Sequence, residues 1–375
     1  MPTSSRSQTS TVWVRTPSAR YPVWVGRGVL GRAGKLLRRL RPGAARVFVV
    51  SSPRVWSRWG RELTAGLRAG RFRVEPVLIN DREEAKRLAT LERLAEKLLQ
   101  LGADRHSLLV ALGGGVIGDI TGFLAATYMR GLDYSQAPTT VVAQVDSAIG
   151  GKTGVNLPRG KNLLGAFHHP LAVVADPRTL ETLPAREFRA GLYEVIKCGV
   201  IGDPGLFRFL ENAMGAVAAR RGPGLHEALF RALRLKARIV AQDERERGIR
   251  SWLNFGHTFG HAFEALGGYR GLRHGEAVGW GMIAATLMSA RLGLIGGPTA
   301  ARIVRLVASV GPLPSLPRFT PERVYWQMFT DKKKRGGRLR FVLPRGIGRV
   351  EIVENVPRPV ILRVLRDLRR GAFPR

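Results

Sequence analysis

From Thr11 the chain alternates short apolar strands with amphipathic stretches of helical period, and this alternation sets the fold class. TVWVRT and YPVWVGRG alternate apolar and other residues and predict a pair of strands in a hairpin. GVLGRAGKLLRRL then reads as a basic amphipathic helix ended by Arg41-Pro42-Gly43. ARVFVVSS is the uniformly apolar kind of strand that a parallel sheet buries on both faces. RVWSRWGRELTAGLRAG reads as helix, RVEPVLIN as strand, and REEAKRLATLERLAEKLLQLG as a long helix ending at Gly102. SLLVALGGG is a strand running into glycines, and VIGDITGFLAATYMRG is the helix that follows it. Such βαβα order predicts a parallel sheet with helices on both faces. Residues Pro138 to Pro170, rich in paired glycines, read as a long functional loop. From about Asp176 helix follows helix, with no strand before RLRFVLP. The predicted architecture is α/β: a flexible leader at 1–10, a parallel-sheet domain at 11–176 and a mainly α-helical domain at 177–375.

Composition narrows the class. With 375 residues, 45% of them hydrophobic and 24% charged, the chain matches an ordinary globular protein of two domains. Its single cysteine, Cys198, excludes an internal disulfide and suits a reducing cytoplasm; a buried, inert thiol is the favoured reading. No apolar run approaches the roughly 18 residues of a membrane span, and the first residues lack a signal-peptide pattern. The net charge of +33 raises the question of nucleic acid. Its arginines, however, are spread through every segment, as in LLRRLRPGAAR, RALRLKARIV and VLRDLRRGAFPR, with no finger or tail to organise them. A diffuse basic surface that attracts a small anionic substrate is the expectation, with no specific nucleic acid and no membrane as partner.

Three stretches carry chemistry. AGLYEVIKCG holds Glu194, LNFGHTFGHAFEA holds His257 and His261, and RHGEAVGWGM holds His274. One carboxylate and two imidazoles with an open side make the ligand set of a catalytic divalent cation. His257 and His261 share a helix face; either both are ligands, or one is a ligand and the other an acid/base group. GGGVIG, Gly113 to Gly118, follows a strand, opens a helix and satisfies G-x-G-x-x-G, and stands either as a Rossmann-like cradle for a pyrophosphate or as a tight structural turn. Upstream, Asp81, Glu83, Glu84 and Lys86 stand either as ribose or adenine contacts or as a solvated helix start. The loop from Pro138 gathers Thr139, Thr140, Asp146, Lys152, Lys161 and Asn162, and farther on come Lys197, Lys236, Glu246, Arg250 and Asn254. Lysines and an asparagine among glycines suit phosphate or carboxylate groups.

Six blocks, in order, resemble the 3-dehydroquinate synthase family: GGGVIGDITGFLAATYMRG, PTTVVAQVDSAIGGKTGVNLPRGKNLLGAF, AGLYEVIKCGVI, DERERGIRSWLNFGHTFGHAFEA, HGEAVGWGM and DKKKRGGRLRFVLP. The resemblance implies a two-domain fold of that type and a cytoplasmic lyase of the shikimate pathway, on the way to aromatic amino acids. Its substrate would be 3-deoxy-arabino-heptulosonate 7-phosphate and its products 3-dehydroquinate and phosphate. Such enzymes use NAD+ catalytically, oxidising a substrate hydroxyl to ease phosphate elimination and then reducing the ketone back. They also hold one divalent metal, zinc or cobalt, and are homodimers.

Carried onto this chain, the resemblance makes Glu194, His257 and His274 the metal ligands. Asp81, Glu83, Lys86, Gly114, Gly115, Asp119, Thr139, Thr140, Lys152, Lys161, Thr179 and Thr182 would contact NAD+. Lys152, Asn162, Lys236 and Arg250 would bind the substrate's phosphate and carboxylate, with Arg130 lent across a dimer and either Lys332 or Lys333 completing the phosphate site. Asp146, Lys152, Lys197, Glu246, Asn254 and His261 would orient hydroxyls and move protons. The chain departs from the family at Ser51-Ser52-Pro53, at Arg82 and at His169, where glutamine is common. Related readings are a sister sugar-phosphate cyclase forming an inosose or a valiolone, and a metal-dependent polyol dehydrogenase.

Overall fold

The computed structural model describes residues 9–158, 160–220, 223–268, 271–316, 319–332 and 339–372. The expected leader lies outside the described residues as far as residue 8, and Ser10 already opens the first strand. Two compact units form, one from Met1–Pro184 with Lys236–Arg245, the other from Ala185–Leu235 with Glu246–Arg375. The first unit is therefore not continuous in sequence, since a ten-residue stretch returns to it. Among the described residues no helix is long and apolar enough to cross a membrane.

The first unit is built on a seven-stranded sheet. Its strands are β1 (Ser10–Arg15), β2 (Arg20–Val25), β3 (Arg46–Ser51), β4 (Arg73–Leu78), β5 (Leu108–Gly113), β6 (Asp133–Pro138) and β9 (Ala172–Ala175), in the order β1-β2-β9-β6-β5-β3-β4. β1 pairs antiparallel with β2, and the other pairs are parallel. Strand alternation sends Val47, Val49, Leu108 and Val110 into one core, beneath α1 (Ala33–Leu40) and α3 (Arg61–Ala69). Phe48, Val50, Leu109 and Ala111 enter the opposite core with α4 (Leu88–Gln100) and α5 (Gly115–Thr127). A short turn of helix, α2 (Pro53–Val55), follows β3, and the Ser52 hydroxyl caps it by accepting from the Val55 N–H. The helix expected from Arg82 begins only at Leu88, after a 3₁₀ turn at Glu83–Ala85.

The segment 138–170 is not a loop. It contains a π-helical turn at Ala143–Ser147 and the antiparallel hairpin of β7 (Lys152–Leu157) and β8 (Gly160–Phe167). Glycine hides the strand alternation there. Gly154 faces Gly165, and a Cβ on Gly165 would collide with the Thr153 carbonyl. β7 also packs closely on α5, where a Cβ on Gly122 would meet Thr153.

The second unit is mainly helical. It contains α6 (Ala185–Gly202), α7 (Pro204–Ala218), the first part of α8 (Gly224–Gln242), α9 (His257–Leu266), α10 (His274–Arg291), α11 (Gly297–Ala308), α12 (Pro321–Lys332) and α13 (Arg358–Arg370). A hairpin of β10 (Arg340–Gly346) and β11 (Arg349–Glu354) completes it, β11 being a strand that the apolar pattern did not reveal.

Candidate active site

Glu194 lies midway along α6, His257 is the first residue of α9 and His274 the first of α10. Glycine places both histidines. Gly256, just before His257, has φ +82°, a left-handed turn that a side chain would strain. A Cβ on Gly275, just after His274, would collide with the Ala190 carbonyl of α6. Without it, the start of α10 rests against α6 one turn before Glu194.

The three side chains converge. His257 Nε2 is 3.9 Å and His274 Nε2 is 3.6 Å from Glu194 Oε1. Two ligand atoms held about 2.1 Å from one tetrahedral ion lie about 3.4 Å apart, so the spacing suits a shared cation. The far side of each ring is engaged: His257 Nδ1–H donates to the Phe255 carbonyl at 3.2 Å, and His274 Nδ1–H donates to Glu264 Oε2 at 3.2 Å. Both Nε2 lone pairs are thereby left for the Glu194 side. Both Glu194 oxygens are buried; the Lys197 ammonium is the ion-pair partner of Oε2, and Oε1 accepts no hydrogen bond. Buried acceptors lacking donors are costly, and a cation is the partner this donor set fits. Exposure rises from 1% at the Glu194 side chain through 12% at His257 to 40% at His274, so the open side lies at His274.

Electrostatics separate the two rings. Burial, reinforced by Lys197 and by the neighbouring His274 and His261, holds the His257 imidazole well below its usual range and keeps it neutral. Burial also depresses His274, but the hydrogen bond and charge of Glu264, with the charge of Glu194, outweigh it and raise the net value. His261 stands beside both rings, at centroid distances of 5.5 Å and 6.0 Å, yet belongs to a second, overlapping donor group with Glu264 and His274. In the same unit Asn254 donates to Glu246 at 2.8 Å, and Arg250 is buried. Cys198, also buried, has its thiol pushed up to about 12 by burial and offers no nucleophile at neutral pH.

In the first unit the carboxyl ends of β3 and β5 form the switch point of the sheet, where open α/β sheets take ligands. Gly114 caps α5, and added Cβ atoms on Gly114 and Gly115 would crowd Thr140 and Ser147 at 3.1 Å and 3.2 Å. The Thr139 N–H donates to the Gly113 carbonyl at 2.9 Å. Ser52 donates to Asp81 at 2.8 Å, and Arg54 pairs with the same carboxylate at 3.4 Å. Lys86 is buried between Asp119 and Asn162, and Asn156 links Glu83 to the backbone N–H of Asn162. Lys236, on the returning stretch, pairs with Asp146. Thr179 is buried, its hydroxyl donating to the Asp176 carbonyl and accepting from Gln144, while Thr182 accepts from Trp59.

Comparison with known proteins identifies the lineage. The N-terminal and C-terminal models of 3-dehydroquinate synthase match residues 76–190 and 191–334. The 3-dehydroquinate synthase of Solibacter usitatus is 44% identical over 94% of this chain and 98% of its own length. The chain belongs to the 3-dehydroquinate synthase family. Its fold is the two-domain α/β type that this family shares with other sugar-phosphate cyclases. The 2-epi-5-epi-valiolone synthase of Streptomyces hygroscopicus subsp. jinggangensis 5008, solved with NAD+ and Zn2+ bound, superposes with a TM-score of 0.85 at 30% identity, covering 94% of this chain and 97% of that one. A 2-deoxy-scyllo-inosose synthase complexed with carbaglucose-6-phosphate, NAD+ and Co2+ gives 0.84 at 27% identity, over 96% and 99%.

Of the residues singled out from the family, the structure brings Glu194, His257 and His274 together, pairs Lys86 with Asp119 and Asn162, and pairs Lys236 with Asp146. Lys152 and Lys161 are exposed on β7 and β8. Arg130 is exposed, and both Met129 (φ 47°) and Arg130 (φ 69°) adopt left-handed backbone, which is strained for residues with side chains. Lys333 and the side chain of Lys332 lie outside the described residues. His169, given no role from sequence, contacts Glu244 at 2.7 Å, and Glu244 also accepts from Thr16 and Ser18. Sequence reasoning also passed over Gln144 and Glu264, and named Ser52 only as a departure from the family. The signal for Glu264 was its place in GHTFGHAFEA, seven residues after His257 and so on the same helix face.

Proposed function

We propose that this chain is a cytoplasmic 3-dehydroquinate synthase of the shikimate pathway. It converts 3-deoxy-D-arabino-heptulosonate 7-phosphate to 3-dehydroquinate and phosphate, with NAD+ regenerated in each turnover and one zinc or cobalt ion. The observation that carries the reading is Glu194: a buried carboxylate whose Oε1 accepts no hydrogen bond and is faced by two imidazole Nε2 atoms, while Lys197 pairs with Oε2.

Glu194, His257 and His274 would hold the divalent cation, which supplies Lewis acidity at the substrate's hydroxyl groups. NAD+ supplies a reversible hydride acceptor. Gly114 and Gly115 leave room for a pyrophosphate at the positive end of α5, and Asp81, held by Ser52 and Arg54, would contact the dinucleotide. Glu83, Lys86, Asp119, Thr139, Thr140, Lys161, Thr179 and Thr182 would complete the dinucleotide contacts. Lys152, Asn162, Lys236 and Arg250 would bind the anionic groups of the substrate. Lys332 or Lys333 would join them at the phosphate. Lys197, His261 and the Asn254–Glu246 pair would orient hydroxyls and hold protons, with Asp146 setting the Lys236 ammonium. The chain would act as a homodimer in which Arg130 serves the partner's site.

The deciding assay follows phosphate release from the heptulosonate phosphate with NAD+ and zinc, before and after chelation, with absorbance at 340 nm recorded together. Release that stops on chelation and leaves no net NADH is expected. The valiolone and inosose synthases superpose closely enough to make a sister cyclase the second reading. It would be favoured by metal-loaded protein that releases no phosphate from this substrate but does so from another sugar phosphate. Accumulating NADH with a simple polyol would instead indicate a dehydrogenase.

A further inference from the structure

We infer that Glu264 is the positioning residue of the cation centre: its carboxylate fixes the tautomer and orientation of His274, so that Nε2 and not Nδ1 is offered to the ion. The inference rests on the metal-centre reading above and concerns a residue to which that reading gives no role.

His257, His261 and Glu264 recur at spacings of four and three on one face of α9, which turns all three toward the first residue of α10. Glu264 is buried, and its Oε2 accepts from His274 Nδ1–H at 3.2 Å. The two proposed imidazole ligands are therefore held differently. His257 is nearly enclosed and leans on a backbone carbonyl two residues away, so its own chain fixes its ring. His274 is the most exposed of the three ligands, at 40%, and sits at the first position of its helix, where packing restrains a ring least. A buried anion on Nδ1 supplies the restraint that packing does not, and it raises the basicity of the opposite nitrogen. His261, Glu264 and His274 also form a donor group of their own, open in principle to a second ion. The existing hydrogen bond argues against that use, because it commits the Glu264 oxygen and the His274 Nδ1 to one another.

The test is cobalt and zinc affinity by chelator competition, together with the visible spectrum of the cobalt-loaded protein, in the wild type, Glu264→Ala and Glu264→Gln. Thermal melts of the metal-free proteins check the fold. Glu264→Ala should weaken binding about 10- to 100-fold and shift the cobalt bands. Glu264→Gln, which keeps an acceptor oxygen but loses the charge, should fall between it and the wild type. A purely structural role would lower the melting temperature without moving the bands. Wild-type affinity and spectrum in both variants would overturn the inference. So would two ions per wild-type chain, reduced to one by His261→Ala, since Glu264 would then be a ligand. If Glu194→Gln left cobalt binding intact, the metal-centre reading itself would fall, and this inference with it.

Discussion

The two units prepare for their ligands in opposite ways. In the second, Lys197 pairs with Oε2 of the buried Glu194, but Oε1 has no hydrogen-bond donor and two imidazole Nε2 atoms face it, three acceptors converging with no donor among them. In the first, the charged groups at the end of the sheet already have partners: Lys86 has Asp119 and Asn162, Lys236 has Asp146, and Asp81 has Ser52 and Arg54. An acceptor cluster left unsatisfied asks for a cation from outside, because burial without a partner is costly. A cluster of matched pairs is stable by itself, and an anionic ligand must compete with a carboxylate already in place. Occupancy should therefore govern the integrity of the proposed cation centre far more than that of the sheet end.

The largest expected effect is at Glu194. Glu194→Gln should abolish tight cobalt binding and slow phosphate release about a thousandfold, the scale of losing several kcal/mol of charge stabilisation. Cobalt titration and initial rates measure both, and near-normal values would break the comparison at its strongest point. Lys86→Met comes next. Removing one member of a buried pair leaves the other uncompensated and costs about 3–5 kcal/mol. Burial already raises the Asp119 carboxyl against the pull of Lys86, so without Lys86 it would go higher still. Thermal or denaturant melts should show that loss while cobalt affinity stays at the wild-type value. A fall in cobalt affinity would show that the paired cluster and the cation centre are not separable.

Much of this contrast was legible in the residues. The buried strands β3 and β5 announce themselves by unbroken apolar runs, and the helices beside them by period. The proposed cation ligands were legible as types because one carboxylate and two imidazoles make the ligand set of a catalytic divalent cation. What failed was information carried by space instead of by order. The Lys152–Phe167 hairpin is hidden because glycines stand where alternating side chains would mark a strand, and they stand there to let β7 approach α5. The return of Lys236–Arg245 to the first unit has no marker in composition, since it rests on contacts such as Glu244 with His169 and Lys236 with Asp146. Glu264 was passed over for a similar reason. A glutamate on a helix reads as surface charge until His274, ten residues on, folds back onto it.

The smallest effect concerns a carboxylate of the second unit that is fully provided for. Asp203 caps α7, accepting from the Leu206 N–H at 2.9 Å, and grips the Arg231 guanidinium at 2.6 Å and 3.0 Å. Partial burial works to raise its pKa, but the Arg231 hydrogen bond and charge and the backbone donors outweigh it, so the carboxyl is held below its ordinary value. A depressed carboxyl contributes stability that is fully present above the unfolded value, about 3.9. That contribution is lost as pH falls through the lower folded value. Asp203→Ala should therefore cost about 1 kcal/mol at neutral pH, as the loss of a helix cap does. The difference from wild type should shrink in melts run below about pH 4, where the Asp203 carboxyl protonates first in the unfolded chain and, at lower pH, in the folded one. Cobalt affinity should not change, because a satisfied carboxylate has no demand for an ion. If Asp203→Ala weakened cobalt binding as Glu194→Gln should, then satisfaction by hydrogen bonds would not be what separates structural from ligand-seeking carboxylates in this unit.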